Sequence, residues 1–325
     1  MGVTTEEFDP TDIQAYHEVM LARYADDRPK WTAPTLDEVR FRLRTPFQGL
    51  GPARYLATRL DGELVAFAGL NFPAWPDTAM AEIVVHPRSR RRGVGTALLR
   101  AVCAEFEARG LTSIECWQVT ADGDGARWAE NRGFRTINTM VLQGLAFAEA
   151  DNALWDVPVP SGYRLAQWTG VTPDDLLASY ALARNAIHDA PTGEQNTPSP
   201  TWTPVKVREA EQDYLSRGAE QRVVVALAAD GSVAGMTELE LHDERPGRAF
   251  QQETSVLPAH RGHDLGRAMK AHMIEWVRRD KPRLTRIDTG TSTENAHMQR
   301  VNRSLGFETI GDMISVNARI EELRA

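Results

Sequence analysis

The amino-acid sequence predicts an α/β protein made of two tandem copies of one domain, on three observations. Matched residues recur at a fixed offset. Trp31 and Trp202, Glu82 and Glu253, Pro87 and Pro258, Arg90 and Arg261, and Gly95 and Gly266 each stand 171 positions apart, while Gly133/Gly306 and Phe134/Phe307 stand 173 apart. Helical and strand periodicities follow in the same order in both halves. Each half also carries a basic, glycine-bearing turn between an apolar strand and an amphipathic helix, at His86–Thr96 and at Ala259–Gly266. A period this long marks a duplicated domain, since solenoid units repeat every ~20–50 residues. The expected division is a first domain over 1–148, a linker over 149–160 that holds Pro158 and Pro160, and a second domain over 161–325.

In the first copy, 11–27 reads as a helix with Ile13, Tyr16, Met20 and Leu21 on one face. A second helix over 35–43 opens with Thr35 and Glu38 in capping-box spacing. Two apolar runs, 54–60 and 63–70, flank Asp61-Gly62, a strong short-range hairpin signal. A strand over 80–85 feeds the basic turn. The helix after it, 96–109, aligns Leu98, Leu99, Val102, Cys103 and Phe106 and stops at Gly110. A strand (113–119), a short helix (122–131), Gly133-Phe134 and a last strand (137–145) complete the copy. In the second copy the same order reads strand 163–168, helix 173–187, a long polar connection from His188, helix 204–215, and a hairpin over 222–241 around Asp230-Gly231. Strand 253–258, the loop to Gly266, helix 267–279, strand 284–289, helix 295–304, Gly306-Phe307 and strand 310–316 follow.

Bulk properties narrow the function. A chain of 325 residues is long enough for two cored domains. A net charge of −8 disfavours nucleic acid and anionic membrane as partners, since both need a broad basic surface. Without a long apolar run or a signal-like N-terminus, the expected location is the cytoplasm. Cys103 and Cys116 offer neither a disulfide framework nor metal-ligand spacing and read as small core residues. His260 and His263 lie in a loop without a third ligand nearby, so no metal is expected.

The turn Arg90-Arg91-Arg92-Gly93-Val94-Gly95-Thr96 reads as a phosphate cradle, because backbone N–H groups and a helix N-terminus converge there. It is not a Walker A loop, and a dinucleotide fingerprint would need a glycine where Leu98 stands. Arg90-x-x-Gly93-x-Gly95, preceded by Val85-x-Pro87 and followed by Gly133-Phe134, resembles the GNAT family of N-acetyltransferases over nearly the whole chain. The resemblance implies two domains, each a mixed, mostly antiparallel central sheet flanked by helices. It also implies acetyl-CoA, or another acyl-CoA, as co-substrate. Its pyrophosphate would lie on Val85, Arg90, Arg91, Arg92, Gly93, Val94, Gly95 and Thr96 in the first copy. In the second copy the corresponding residues are Val256, Arg261, Gly262, His263, Leu265 and Gly266, with Asn295 beside the CoA arm. The second copy departs from the pattern at Asp264, where the first glycine should stand.

Acyl transfer to an alkylammonium needs a base to uncover the nitrogen lone pair. Glu82 and Glu253, on the strands entering the two loops, are the matched candidates, and an ordinary role as outward-facing strand residues stays open for each. The family's best-known glutamate position holds Ala79 and Phe250 here, and its tyrosine acid is replaced by Ala129 and Asn302. Glu238 and Glu240, two apart on a hairpin strand, should share one face. With Asp189, Asp243 and Glu244 they form an expected acidic attractor for a cationic amine, or else a solvated surface. The expected reaction is acetyl transfer from CoA to an amine of a small molecule. The alternatives are a CoA-binding sensor without turnover and an enzyme acting on a protein or peptide.

Overall fold

The computed structural model describes residues 2–45, 50–191 and 201–323. The elements of the first half are β1 (Val3–Glu7), α1 (Ile13–Asp27), α2 (Leu36–Arg44), β2 (Ala53–Leu60), β3 (Glu63–Asn71), β4 (Thr78–Val85), α3 (Val94–Glu107), β5 (Ser113–Thr120), α4 (Asp124–Arg132) and β6 (Arg135–Ala146). Those of the second are β7 (Arg164–Thr169), α5 (Asp174–Asn185), α6 (Pro204–Ser216), β8 (Ala219–Leu227), β9 (Val233–His242), β10 (Arg248–Val256), α7 (Leu265–Asp280), β11 (Arg286–Ser292), α8 (Ala296–Ser304) and β12 (Glu308–Arg319). Every expected helix is present within a few residues of its predicted ends. The Thr35 capping box is formed, with Thr35 accepting from the Glu38 amide and Glu38 from the Thr35 amide. Among the described residues no helix is long and apolar enough to cross a membrane.

Two compact units emerge, and they do not divide at a single point in the chain. Of the described residues, one takes those of 2–140 with 311–323, and the other those of 141–191 with 201–310. The first unit's sheet runs β1-β2-β3-β4-β5-β12, with Met313–Arg319 of β12 antiparallel to Thr120–Ser113 of β5. The second runs β6-β11-β10-β9-β8-β7. The last strand of each half thus serves mainly the other unit, where the repeat alone suggested a break at 149–160. That segment is not a bare linker either. Trp155, in a short 3-10 helix, is 1% exposed in the second unit's core, and its indole donates to the Leu305 carbonyl at 3.0 Å.

In the first unit, alternate residues of β3 supply two cores, one on each face of the sheet. Ala66, Ala68 and Leu70 join Leu98, Leu99, Val102 and Phe106 of α3, whereas Phe67 joins Tyr16, Val19 and Met20 of α1. The second unit follows the same scheme, with Met269, Met273 and Val277 of α7 against Leu239 and Leu241, and Tyr180 of α5 against Val223 and Val225. Strand β1, unexpected from the sequence, pairs antiparallel with β2.

Two details of the central strands position the sites. In each unit the parallel pairing is short: β4 meets β5 only from Thr78↔Ser113 to Met80↔Glu115, and β10 meets β11 only from Arg248↔Arg286 to Phe250↔Asp288. Past those residues the paired register ends, and in the first unit a cleft lies between β4 and β5 and reaches the loop. The second detail separates the copies. The β3–β4 ladder runs without interruption through Gly69↔Glu82, but β9–β10 shifts register between Gln251 and Thr254. The shift leaves an extra residue on β10 at Gln252-Glu253, a β-bulge of the kind that re-aims side chains beside functional sites.

Candidate active site

The first loop is built as a cradle. Arg91 and Gly93 have positive φ (61° and 80°), and Gly93 is the N-cap of α3, so the amides of Val94, Gly95 and Thr96 begin the helix with no intrahelical acceptor. Arginine tolerates this conformation poorly, and Gly93 is the residue that makes the turn inexpensive. A Cβ on Gly95 would stand 3.5 Å from Val85 and 3.6 Å from Trp128, so glycine there keeps the floor low. The loop borders a cleft of about 630 Å³ lined by Val85, Arg90, Arg91, Gly93, Gly95 and Thr96. Of the other expected residues, Val94 is 1% exposed in the core and offers only its amide, and Arg92 is exposed outside the lining. Arg90 is gripped by Asp26 (2.6 Å), Asp27 (2.7 Å) and Asp124 (3.6 Å), and Arg132 donates to the Thr96 hydroxyl at 2.7 Å. The splayed strands, the bare glycine floor and the converging amides fit a CoA pyrophosphate and its arm.

At the strand end of the same cleft stand Arg23, Glu82 and Cys116. Arg23 donates to Glu82 Oε1 at 2.6 Å, and Arg42 donates to Oε2. Burial alone would raise the Glu82 carboxyl, but the two guanidiniums hold it down at about 2. A carboxylate so clamped is a very weak base. Burial raises the Cys116 thiol to about 12 and the Cys103 thiol to about 11, so both stay protonated and neither is a nucleophile at neutral pH.

The second copy inverts this electrostatics. Glu253 sits on the bulge with its side chain about one-third exposed (34%), 3.5 Å from Arg184. Arg184 also lies 3.3 Å from Glu238, which is 1% exposed and accepts from the Tyr180 hydroxyl. One guanidinium therefore serves two carboxylates. Burial and the neighbouring Glu238 raise Glu253 to about 7, against the pull of Arg184. Arg184 stacks on Trp202 at 3.4 Å from the ring centroid, and Arg28 lies over the matched Trp31 at 4.7 Å.

The second loop keeps its backbone despite its changed sequence. Asp264 takes the position of Gly93, as the left-handed N-cap of α7 (φ 58°), and Gly262 has φ 82°. The Asp264 carboxylate is half exposed and lies 3.6 Å from Arg267. Arg261 donates to the Val256 carbonyl at 3.0 Å and pairs with Asp189 at 2.5 Å. Leu265 is a core residue, Gly266 faces Thr254 at 3.8 Å, and His263 packs beside Tyr163. Asn295 caps α8, accepting from the Met298 amide at 3.1 Å. Ala129 and Asn302 are both buried, Asn302 donating to Gln143 at 2.9 Å.

The expected acidic cluster is rearranged. Glu238 and Glu240 do share the face opposite Leu239 and Leu241, but that face is covered. Glu240 is held by His242 (2.6 Å) and Gln252 (2.8 Å), and Asp189 is tied to Arg261. Glu238 instead joins Glu253. Arg23, Arg42, Arg184 and Tyr180, which set the two glutamates apart, carry no motif in the sequence. They come from α1, α2 and α5, and only the packing of those helices beside a strand glutamate brings them together. Among the described residues no group of three or more His, Cys, Asp or Glu is arranged to hold a metal ion.

Fold and site together define a tandem acetyltransferase architecture. The profile of the acetyltransferase (GNAT) family matches residues 17–134 and 186–307, and the chain belongs to that family. It is 29% identical over 307 residues to the mycothiol acetyltransferase of Salinispora arenicola, covering 93% of this chain and 92% of the relative. It is 30% identical over 272 residues to that of Nocardia farcinica, covering 82% and 81%. Among solved structures, a tandem GNAT protein from the clavulanic acid biosynthesis pathway superposes with TM-score 0.78 at 25% identity, covering 98% of this chain and 99% of the other.

Proposed function

We propose that the protein is an N-acetyltransferase that moves an acetyl group from acetyl-CoA to an amine of a small molecule, with the chemistry in its second half. The observation that carries this is the placement of Glu253, a carboxylate raised to about 7 on a β-bulge, beside a strand splay and a phosphate-loop backbone. Acetyl-CoA supplies the activated acyl group. Glu253 takes a proton from the incoming ammonium, directly or through a water, and a base poised near the working pH is suited to that transfer. Arg184 orients the carboxylate. Glu238 makes the site net acidic, which favours the protonated amine as it arrives. The bulge interrupts the β9–β10 ladder, and a strand N–H released there would serve as the donor to the reacting carbonyl. The mycothiol acetyltransferases, similar over most of their length, support a small-molecule acceptor. The first half, with its intact Arg90–Gly95 cradle and arginine-clamped Glu82, is read as a second CoA site that does not turn over.

The test is thiol release from acetyl-CoA across a panel of amines, with mass spectrometry of the product. Glu253→Gln should lower kcat at least about 100-fold, the usual worth of a general base, and remove the rise of kcat/KM through pH ~7. Glu82→Gln should leave that rise in place. Loss of turnover in Glu82→Gln with full activity in Glu253→Gln would overturn the assignment.

A further inference from the structure

We infer that the first half selects a CoA thioester whose acyl chain ends in a carboxylate, with Arg23 as the residue that reads the negative end. The inference rests on the reading of that half as a CoA site. Its starting point is a charge count at equivalent places in the two copies. Where the second copy sets one guanidinium, Arg184, against Glu238 and Glu253, the first sets two, Arg23 and Arg42, against Glu82 alone. The first copy's cluster carries an excess positive charge and the second's an excess negative charge.

The excess is buried and borders the cleft. Arg23 is 8% exposed and lines the cleft with Glu82, at the strand end away from the phosphate loop. Of its five N–H donors, one of the two on Nη1 is committed to Glu82, which leaves the fork able to meet a second carboxylate. A third guanidinium, Arg28, is 4% exposed, and its pKa is lowered to about 10 by burial first and by Arg23 second, so the positive potential extends beneath this end. Asp27 is engaged by Arg90, and Glu115 accepts from the Trp117 indole at 3.0 Å. The Tyr16 hydroxyl, fully buried beside Arg42 and Glu82, has no hydrogen-bond partner among the described residues.

An acetyl group would offer this end only a methyl. An ammonium acceptor would be repelled by the guanidiniums and would find Glu82 saturated. A short dicarboxylic acyl chain, of the malonyl or succinyl type, instead brings a carboxylate to a buried, partly committed guanidinium, where a charge-assisted pair is strong. The site is then a discriminating one for acyl-CoA that transfers nothing, beside a second half that acts on amines.

Calorimetry on the full chain with acetyl-CoA, butyryl-CoA and succinyl-CoA tests this, because butyryl and succinyl match in length and differ in charge. Succinyl-CoA should bind the Gly93-dependent site at least about tenfold tighter than butyryl-CoA, which is ~1.4 kcal/mol. Arg23→Gln should bring the two within about twofold. Arg23→Lys, which keeps the charge and loses the fork, should fall between. Equal binding of succinyl-CoA and butyryl-CoA by the unmodified protein overturns the inference without any variant. If Gly93→Glu changes the binding of none of the three, the CoA assignment of the first half fails, and this inference with it.

Discussion

Lys270 is the clearest place to test how the second unit is held together. It lies on α7, 2% exposed, with its ammonium 5.4 Å from the Phe307 ring centroid. At the matched position, 171 residues earlier, the first copy has Leu99, 1% exposed. Burial pulls the Lys270 amine from 10.5 to about 7. At 1.36 kcal/mol per pH unit, that corresponds to a ceiling of about 5 kcal/mol. The folded-state value is the lower one. Between pH ~7 and ~10.5 the unfolded chain therefore holds a proton that the folded chain does not, and stability rises with pH across that window. At pH 7 and below, most of the cost of the buried charge is present. Lys270→Leu should stabilise the protein at pH 7 by about 3 kcal/mol, below the ceiling because the cation–π contact is also lost, and should flatten the slope between pH 7 and 10. Urea melts followed by tryptophan fluorescence at pH 7 and 9.5 read both quantities. A destabilised Lys270→Leu, or one with an unchanged pH slope, would refute the reasoning.

Further outcomes follow from the same structure. Trp155→Ala should destabilise the second unit by about 3–5 kcal/mol, the usual loss for a buried tryptophan, although the residue lies in a segment that reads as a linker; a melt within 1 kcal/mol of the parent would contradict its core role. Asp264→Gly, in the Gly93→Glu background, should tighten CoA binding several-fold by removing a carboxylate from the loop mouth and easing a left-handed residue; calorimetry showing weaker binding would mean that Asp264 helps the ligand. Native-state alkylation of Cys103 and Cys116 should be slow at pH 7.5, since both thiols are raised well above that pH; fast modification of either would show the thiol to be open and ionised.

Much of the architecture was legible because the repeat could be checked residue against residue: the hairpins at Asp61-Gly62 and Asp230-Gly231, the loop glycines and the Thr35 cap stand where the sequence puts them. β1 escaped because Val3-Thr4-Thr5-Glu6-Glu7 is an edge strand with no buried face to impose alternation. The exchange of final strands escaped because periodicity identifies a strand but not its neighbour. At the site, alternation placed Glu238 and Glu240 on one face but could not tell a covered face from a solvated one. The contrast between Glu82 and Glu253 was not legible at all. It depends on which turn of α1, α2 or α5 faces the strand and on one extra residue in β10, and neither leaves a mark in spacing.

The exchanged strands also bear on how the molecule is made. Residues 311–323 belong to the unit that holds β1. A ribosome must therefore translate past β12 before the β5 edge receives its permanent neighbour, so early folding of the first half is provisional and its open edge needs shelter meanwhile. The same stitching limits inheritance. The two copies have been free to drift apart in charge and chemistry, yet a cut between them would leave each without the strand that the other encodes.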